Sequence, residues 1–216
     1  LAVGEKEAFK KIFDKSVKSM LILVIPSAVG FIVLREPVIS AIYKWSVNFG
    51  ADRINMTGSI LMFFSLALLS QSILAIVNRA FYACNDTKTP LYSGAVSIVS
   101  NALLCYIFFN YTSIGASGMA MAYSISSMVN LAILMYALGR KIKGIYSDQW
   151  LKFIIKTVVA SAIMGIMVFL FKGLIPVDFS RPFSINSKMA ELLYLFLMIA
   201  FGVMAYFVIM VLMGIK

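Results

Sequence analysis

Histidine is absent from the 216 residues, and cysteine occurs only twice. Without imidazole the chain has neither the side chain that titrates near neutrality nor the commonest nitrogen ligand for a metal. Cys84 and Cys105 stand 21 residues apart, the first expected at a membrane surface and the second inside a span. Neither a disulfide nor a zinc site follows from that placement. Acids are scarce too. All nine fall in expected loops or at span ends: Glu5, Glu7, Asp14, Glu36, Asp52, Asp86, Asp148, Asp178 and Glu191. A proton relay built from carboxylates at mid-membrane therefore has no support, and no metal or cofactor site is expected. Charged residues make up 13% of the chain, about half of what a soluble domain carries.

Apolar residues fill the space instead. They amount to 62% of the sequence, and the mean hydropathy is +0.95. A hydrocarbon core of about 30 Å is crossed by about 20 apolar residues in a helix. No charge occurs between Arg53 and Arg79, and 51 uncharged residues separate Lys88 from Arg140. That second run accommodates two passes around the polar break at 110–118. Continuous apolar runs of this kind imply helices, since barrel strands alternate over about ten residues. The fold class expected is all-α: a polytopic transmembrane bundle of six helices, at about 17–42, 56–82, 90–110, 116–139, 151–172 and 190–214.

Basic residues orient the bundle. With the N-terminal segment inside, thirteen of the 19 face the cytoplasm: Lys6, Lys10, Lys11, Lys15, Lys18, Arg79, Lys88, Arg140, Lys141, Lys143, Lys152, Lys156 and Lys216. The positive-inside rule then places both termini in the cytoplasm. Net charge of +10 spread over loops beside an anionic leaflet needs no nucleic acid to explain it. Residues 1–15 read as an amphipathic lead-in, because Ala8, Phe9, Ile12, Phe13 and Val17 recur at helical spacing among lysines. The chain starts on Leu1 with no signal-peptide order, and is expected to be the C-terminal portion of something longer.

Polar residues inside the spans ordinarily bond neighbouring helices, each contributing about 1 kcal/mol; the alternative is that some face a water-filled cavity. Asn101, Ser124 and Asn130 are the candidates for the second role. Gly115, Gly118 and Ala122, and Ser161 with Gly165, permit close helix approach. Pro26 lies mid-span and frees a backbone carbonyl, so a bend is expected there. The stretch RAFYACNDTKTP, residues 79–90, makes a tight turn between two spans. Arg79 can reach phosphates at the membrane face, Asn85 and Asp86 suit the turn, and Tyr82 suits the interfacial belt. Thr89 is the expected N-cap, Pro90 the expected first helical residue, and Asp86 and Lys88 are expected to stay solvated.

This stretch also resembles the R-x-F-Y-A-x-x-D-T-[KR]-T-P signature of the MurJ (MviN) family, lipid II flippases of the multidrug/oligosaccharidyl-lipid/polysaccharide exporter superfamily; its Asp86, Thr87, Thr89 and Pro90 match the signature residue by residue. IPSAVGFIVLREPVISAIY, residues 25–43, resembles that family's ninth helix, and ASGMAMAYSISSMVNLAIL, residues 116–134, its twelfth. The resemblance implies that the chain supplies helices nine to fourteen of a fourteen-helix, two-lobed exporter. Residues 16–140 would give four helices of the C-terminal transport lobe. Residues 141–216 would give two more, forming an apolar groove for a polyprenyl tail.

The implied partners are lipid II, an undecaprenyl-diphosphate-linked disaccharide peptide, together with membrane lipids and the N-terminal portion of the same transporter. The implied location is the bacterial cytoplasmic (inner) membrane. The family's cavity arginines lie on earlier helices and the eighth, so none is in this sequence; Arg79 is expected to gate or to contact the head group. Where sodium-coupled relatives carry Asn and Asp one turn apart in the eleventh helix, this chain has Asn101 and Cys105. A hard oxygen ligand is then missing, and sodium binding is not expected. Rival readings are an exporter of another lipid-linked oligosaccharide or a drug, a membrane-embedded enzyme acting on polyprenyl phosphates, and a scaffold subunit.

Overall fold

The computed structural model describes residues 3–43, 51–146, 149–174 and 187–214. Of the charged residues used above, Asp148, Asp178 and Lys216 lie outside that set. The described residues form seven helices and no strand: α1 (Val3–Val33), α2 (Arg35–Tyr43), α3 (Ala51–Ala83), α4 (Lys88–Tyr111), α5 (Ala116–Lys141), α6 (Trp150–Leu174) and α7 (Ser187–Leu212). All but α2 are long and apolar enough to cross a membrane. The protein is a multi-pass membrane bundle.

Two of its elements differ from the sequence expectation. The helix expected at 17–42 is two helices, separated by a turn at Leu34. Pro37 has no amide hydrogen for the carbonyl of Val33 one turn earlier, so the ladder is interrupted there even though Leu34 and Val38 keep their bonds to Gly30 and Leu34 at 2.8 and 2.9 Å. Residues 3–15, expected as a separate lead-in, are the first three turns of α1 itself. At 31 residues this helix is about 46 Å long, so its lysine-rich end projects beyond a 30 Å core.

Pro26 does not end α1. Lacking an amide hydrogen, it cannot bond the carbonyl of Ile22 one turn earlier. Tyr206 of α7 donates its hydroxyl to that carbonyl at 2.9 Å, so the polar group that proline frees in the membrane is satisfied from a neighbouring helix.

In packing order the helices run α4, α5, α3, α1, α6, α7, with α2 bridging α3 and α7. One apolar core joins Phe13, Val17 and Leu21 of α1 to Val77 and Phe81 of α3 and Leu134 and Leu138 of α5. A second lies between α6 and α7, around Ala160, Met164, Val168 and Met198. Small residues set the spacing. A Cβ on Gly165 would lie 2.6 Å from Cγ1 of Val29, so α1 and α6 touch there at backbone distance.

Polar ties close both ends of the bundle. At one end Asp14 of α1 accepts hydrogen bonds from Lys18 at 2.7 Å and from the indole of Trp150, which stacks on Phe13. At the other, Lys172 of α6 meets Glu36 of α2 at 3.0 Å, and that ion pair holds the Glu36 carboxyl below its ordinary range.

Candidate functional site

The turn at 79–90 is built from two interlocking caps. Asn85 takes a left-handed conformation with φ of 54°. The amide of Asp86 bonds the carbonyl of Phe81 at 3.0 Å, and that of Asn85 the carbonyl of Tyr82 at 2.9 Å. These two bonds make a Schellman end for α3, with asparagine where glycine is usual. Asp86 then opens α4. Its carboxylate accepts from the Thr89 amide at 3.0 Å and the Thr89 hydroxyl at 2.8 Å, satisfying an amide that the first turn leaves without a partner.

Three expectations change here. Thr89 is not the cap but the residue capped, because it already lies inside α4. Thr87 borders the helix and makes no capping bond of its own. Pro90 is the third helical residue rather than the first, still within the turn where a missing amide hydrogen costs nothing. Nor does Asp86 stay solvated. Lys141, at the end of α5, reaches it at 2.6 Å, and together with the Thr89 bonds holds its carboxyl well below the usual carboxylate range. The same ammonium lies 5.8 Å from the ring of buried Phe81.

Arg79 sits one turn before this cap, exposed, on a cleft of about 470 Å³ between α1 and α3. Ser16, Ser19, Phe9, Phe13 and Met20 share its walls. The guanidinium has no carboxylate partner among the described residues. Asn78, the preceding residue in the sequence but not one of the cleft's lining residues, has a buried side-chain oxygen without a hydrogen-bond partner among them. Ser16, Ser19 and Asn78 went unnoticed in the sequence. The serines belong to the lysine-rich end of α1, which reads as surface until α3 is packed against it.

The remaining candidates are not gathered around Arg79. Ser124 is 3% exposed in the seam between α3 and α5, donating to the carbonyl of Phe63 at 2.6 Å. It bonds helices rather than lining an open wall. Asn130 accepts a hydrogen bond from Ser93 of α4, and Ser97 donates to the carbonyl of Ser126 at 3.1 Å, so α4 and α5 are laced along one face. Gln71 of α3, whose amide donates to Ser127 at 2.9 Å, extends the lacing to a third helix. Asn101 is half-buried on α4, with the thiol of Cys105 3.7 Å from its side-chain oxygen.

A second opening, of about 330 Å³, is apolar. It lies where Pro26 and Phe31 of α1 face Met164 of α6 and Met198 and Gly202 of α7. Its walls are shared by α1, α6 and α7.

Comparison with known proteins gives a family from sequence and a matching fold from shape. The family described as lipid II flippase MurJ matches residues 1–190. A probable lipid II flippase MurJ of Buchnera aphidicola subsp. Baizongia pistaciae is 29% identical over 170 residues, covering 77% of this chain and 32% of that protein. One from Bdellovibrio bacteriovorus is 26% identical over 204 residues, covering 94% of this chain and 37% of its own length. The chain spans about a third of the length of the curated relatives it matches. Among solved structures, a lipid II flippase MurJ in an inward closed conformation superposes with a TM-score of 0.74 at 24% identity, over 95% of this chain and 39% of that one. The match spans most of the sequence, includes the signature turn and extends to the six-span bundle, and the chain belongs to the MurJ lipid II flippase family.

Proposed function

We propose that this chain is the C-terminal portion of a non-enzymatic transporter that moves lipid II from the inner to the outer leaflet of the bacterial cytoplasmic membrane by alternating access. The observation that carries the reading is family membership across 190 residues of a six-span bundle. A diphosphate-linked disaccharide peptide cannot enter hydrocarbon unless its polar groups are met along the way, so a protein path is required. Arg79, exposed in a cleft and free of any carboxylate among the described residues, is suited to meet phosphate oxygens or to gate their access. The apolar groove walled by α1, α6 and α7 is suited to the polyprenyl tail. Residues 16–140 serve as the lobe, and an N-terminal portion of the same transporter supplies the facing lobe. The lysine-rich ends of α1 and α5 favour a cytoplasmic position for both termini.

The test is rescue of cells depleted of their lipid II flippase by the full-length protein. Arg79→Ala is expected to reduce rescue by tenfold or more, the scale of losing one charge-assisted hydrogen bond of about 1.5–3 kcal/mol. Membrane abundance should be unchanged. Full rescue by Arg79→Ala would return this residue to a purely structural place at the end of α3.

A further inference from the structure

A pocket of about 380 Å³, separate from the Arg79 cleft, opens between the projecting end of α1 and the turn that follows α5. Five cations line it: Lys6 and Lys10 from α1, and Arg140, Lys141 and Lys143 from the end of α5 and its turn. Only two carboxylates answer them among the described residues. Glu7 pairs with Lys10 at 2.8 Å, and Asp86 with Lys141 at 2.6 Å. The carbonyl end of α5 offsets about half a charge more. Lys6, Arg140 and Lys143 are left exposed, with no acidic partner among the residues whose side chains the structure describes.

Nothing in the fold needs three uncompensated cations on one concave surface. Each repels the others, water and salt screen only part of that repulsion, and a bound anion relieves the rest. The setting says which anion. Arg140 stands 5.9 Å from the ring of Tyr136, itself 68% exposed, and Val129 and Ala132 continue the same face of α5 toward the membrane interior. A cationic pocket at the mouth of an apolar helix face matches a molecule with an anionic head and aliphatic chains. We infer that this pocket is a binding site for the phosphate head group of an anionic phospholipid from the adjacent leaflet, its acyl chains lying along the Val129–Tyr136 face of α5. The arrangement is of the kind in which basic pockets at helix ends hold lipid phosphates. It does not depend on Arg79 or on what the protein transports.

The experiment uses the full-length protein in detergent, titrated with phosphatidylglycerol or phosphatidylcholine, with bound lipid counted by native mass spectrometry. Phosphatidylglycerol is expected to bind preferentially, and Lys6→Gln/Lys143→Gln to weaken it by roughly fivefold for each cation removed. Glu7→Gln, which removes one of the two compensating acids, should tighten it. Lys15→Gln/Lys152→Gln makes the same charge change outside the pocket and should leave binding unchanged. An equal loss in both double variants would show diffuse surface attraction and overturn the site. So would equal binding of the two lipids. Displacement of the lipid by inorganic phosphate at equal concentration would overturn the lipid assignment in favour of a free anion.

Discussion

At the scale of single residues, the most informative pair is Pro26 and Tyr206. Proline removes one helix hydrogen bond, and a tyrosine hydroxyl on another helix replaces it at the carbonyl of Ile22. Tyr206→Phe keeps the ring and its packing but leaves that carbonyl without a donor. It is expected to lower stability in detergent by roughly 0.6–2 kcal/mol, the range found for interhelical bonds in membranes. Pro26→Ala restores the amide hydrogen, so the double variant should be more stable than Tyr206→Phe alone. Additive losses in a denaturation series would mean that the two residues do not share the carbonyl.

Asp86 gives a second test at this scale. Its carboxyl is held below the ordinary range by Lys141 and Thr89. A depressed carboxylate stabilises the fold above its unfolded value near 4, and that contribution fades as pH falls through the folded value. Asp86→Asn should therefore melt below the parent at pH 7, and the gap should narrow as the pH is lowered through the carboxylate range. A constant gap would assign the loss to the neutral hydrogen bonds alone.

At the scale of elements, the six spans were legible because their signal is thermodynamic and local: an uncharged run such as 54–78 has no favourable place in water. The turn at 79–90 was legible as a turn, since Asn, Asp, Thr and Pro each disfavour an uninterrupted helix there. Its inner assignments were not. Which hydroxyl or carboxylate caps α4 depends on Lys141, 55 residues away, which fixes Asp86 from outside the turn. The break at Leu34 was not legible because Arg35, Glu36 and Pro37 read equally well as the charged end of one span. Ser124 and Asn130 were recognisable as polar groups in lipid, but whether such a group meets water or another helix is decided by packing, which no local pattern records.

Helix contact is most constrained at Gly165. Any Cβ there meets a branched Val29 methyl at 2.6 Å, so neither side can yield by rotating a flexible chain end. Gly165→Leu is expected to cost about 1–3 kcal/mol through overpacking, and Val29→Ala to recover part of it. A thermal melt of the two singles and the double would measure this, and a Gly165→Leu protein as stable as the parent would place α1 and α6 farther apart.

For the whole molecule, the proposed topology is the claim with the widest consequences, because the side on which each turn lies decides which leaflet the Arg79 cleft meets. Six crossings with the α1 end in the cytoplasm put the α3–α4 turn on that side and the α4–α5 turn on the other. The two native cysteines already sample both environments. Cys84 lies in the first of these turns, half-buried at the end of α3, whereas Cys105 lies within α4 beside Asn101. A membrane-impermeant maleimide added to intact spheroplasts should leave both unlabelled, and after the membrane is opened it should label Cys84 while sparing Cys105, whose surroundings are hydrocarbon. Ser113→Cys, placed between α4 and α5 in a cysteine-free background, should label from outside without opening. If Cys84 reacted from outside and Ser113→Cys did not, the bundle would be inverted. The lysine-rich ends would then face away from the cytoplasm against the usual charge bias, and the Arg79 cleft would open toward the leaflet where transport ends rather than where it begins.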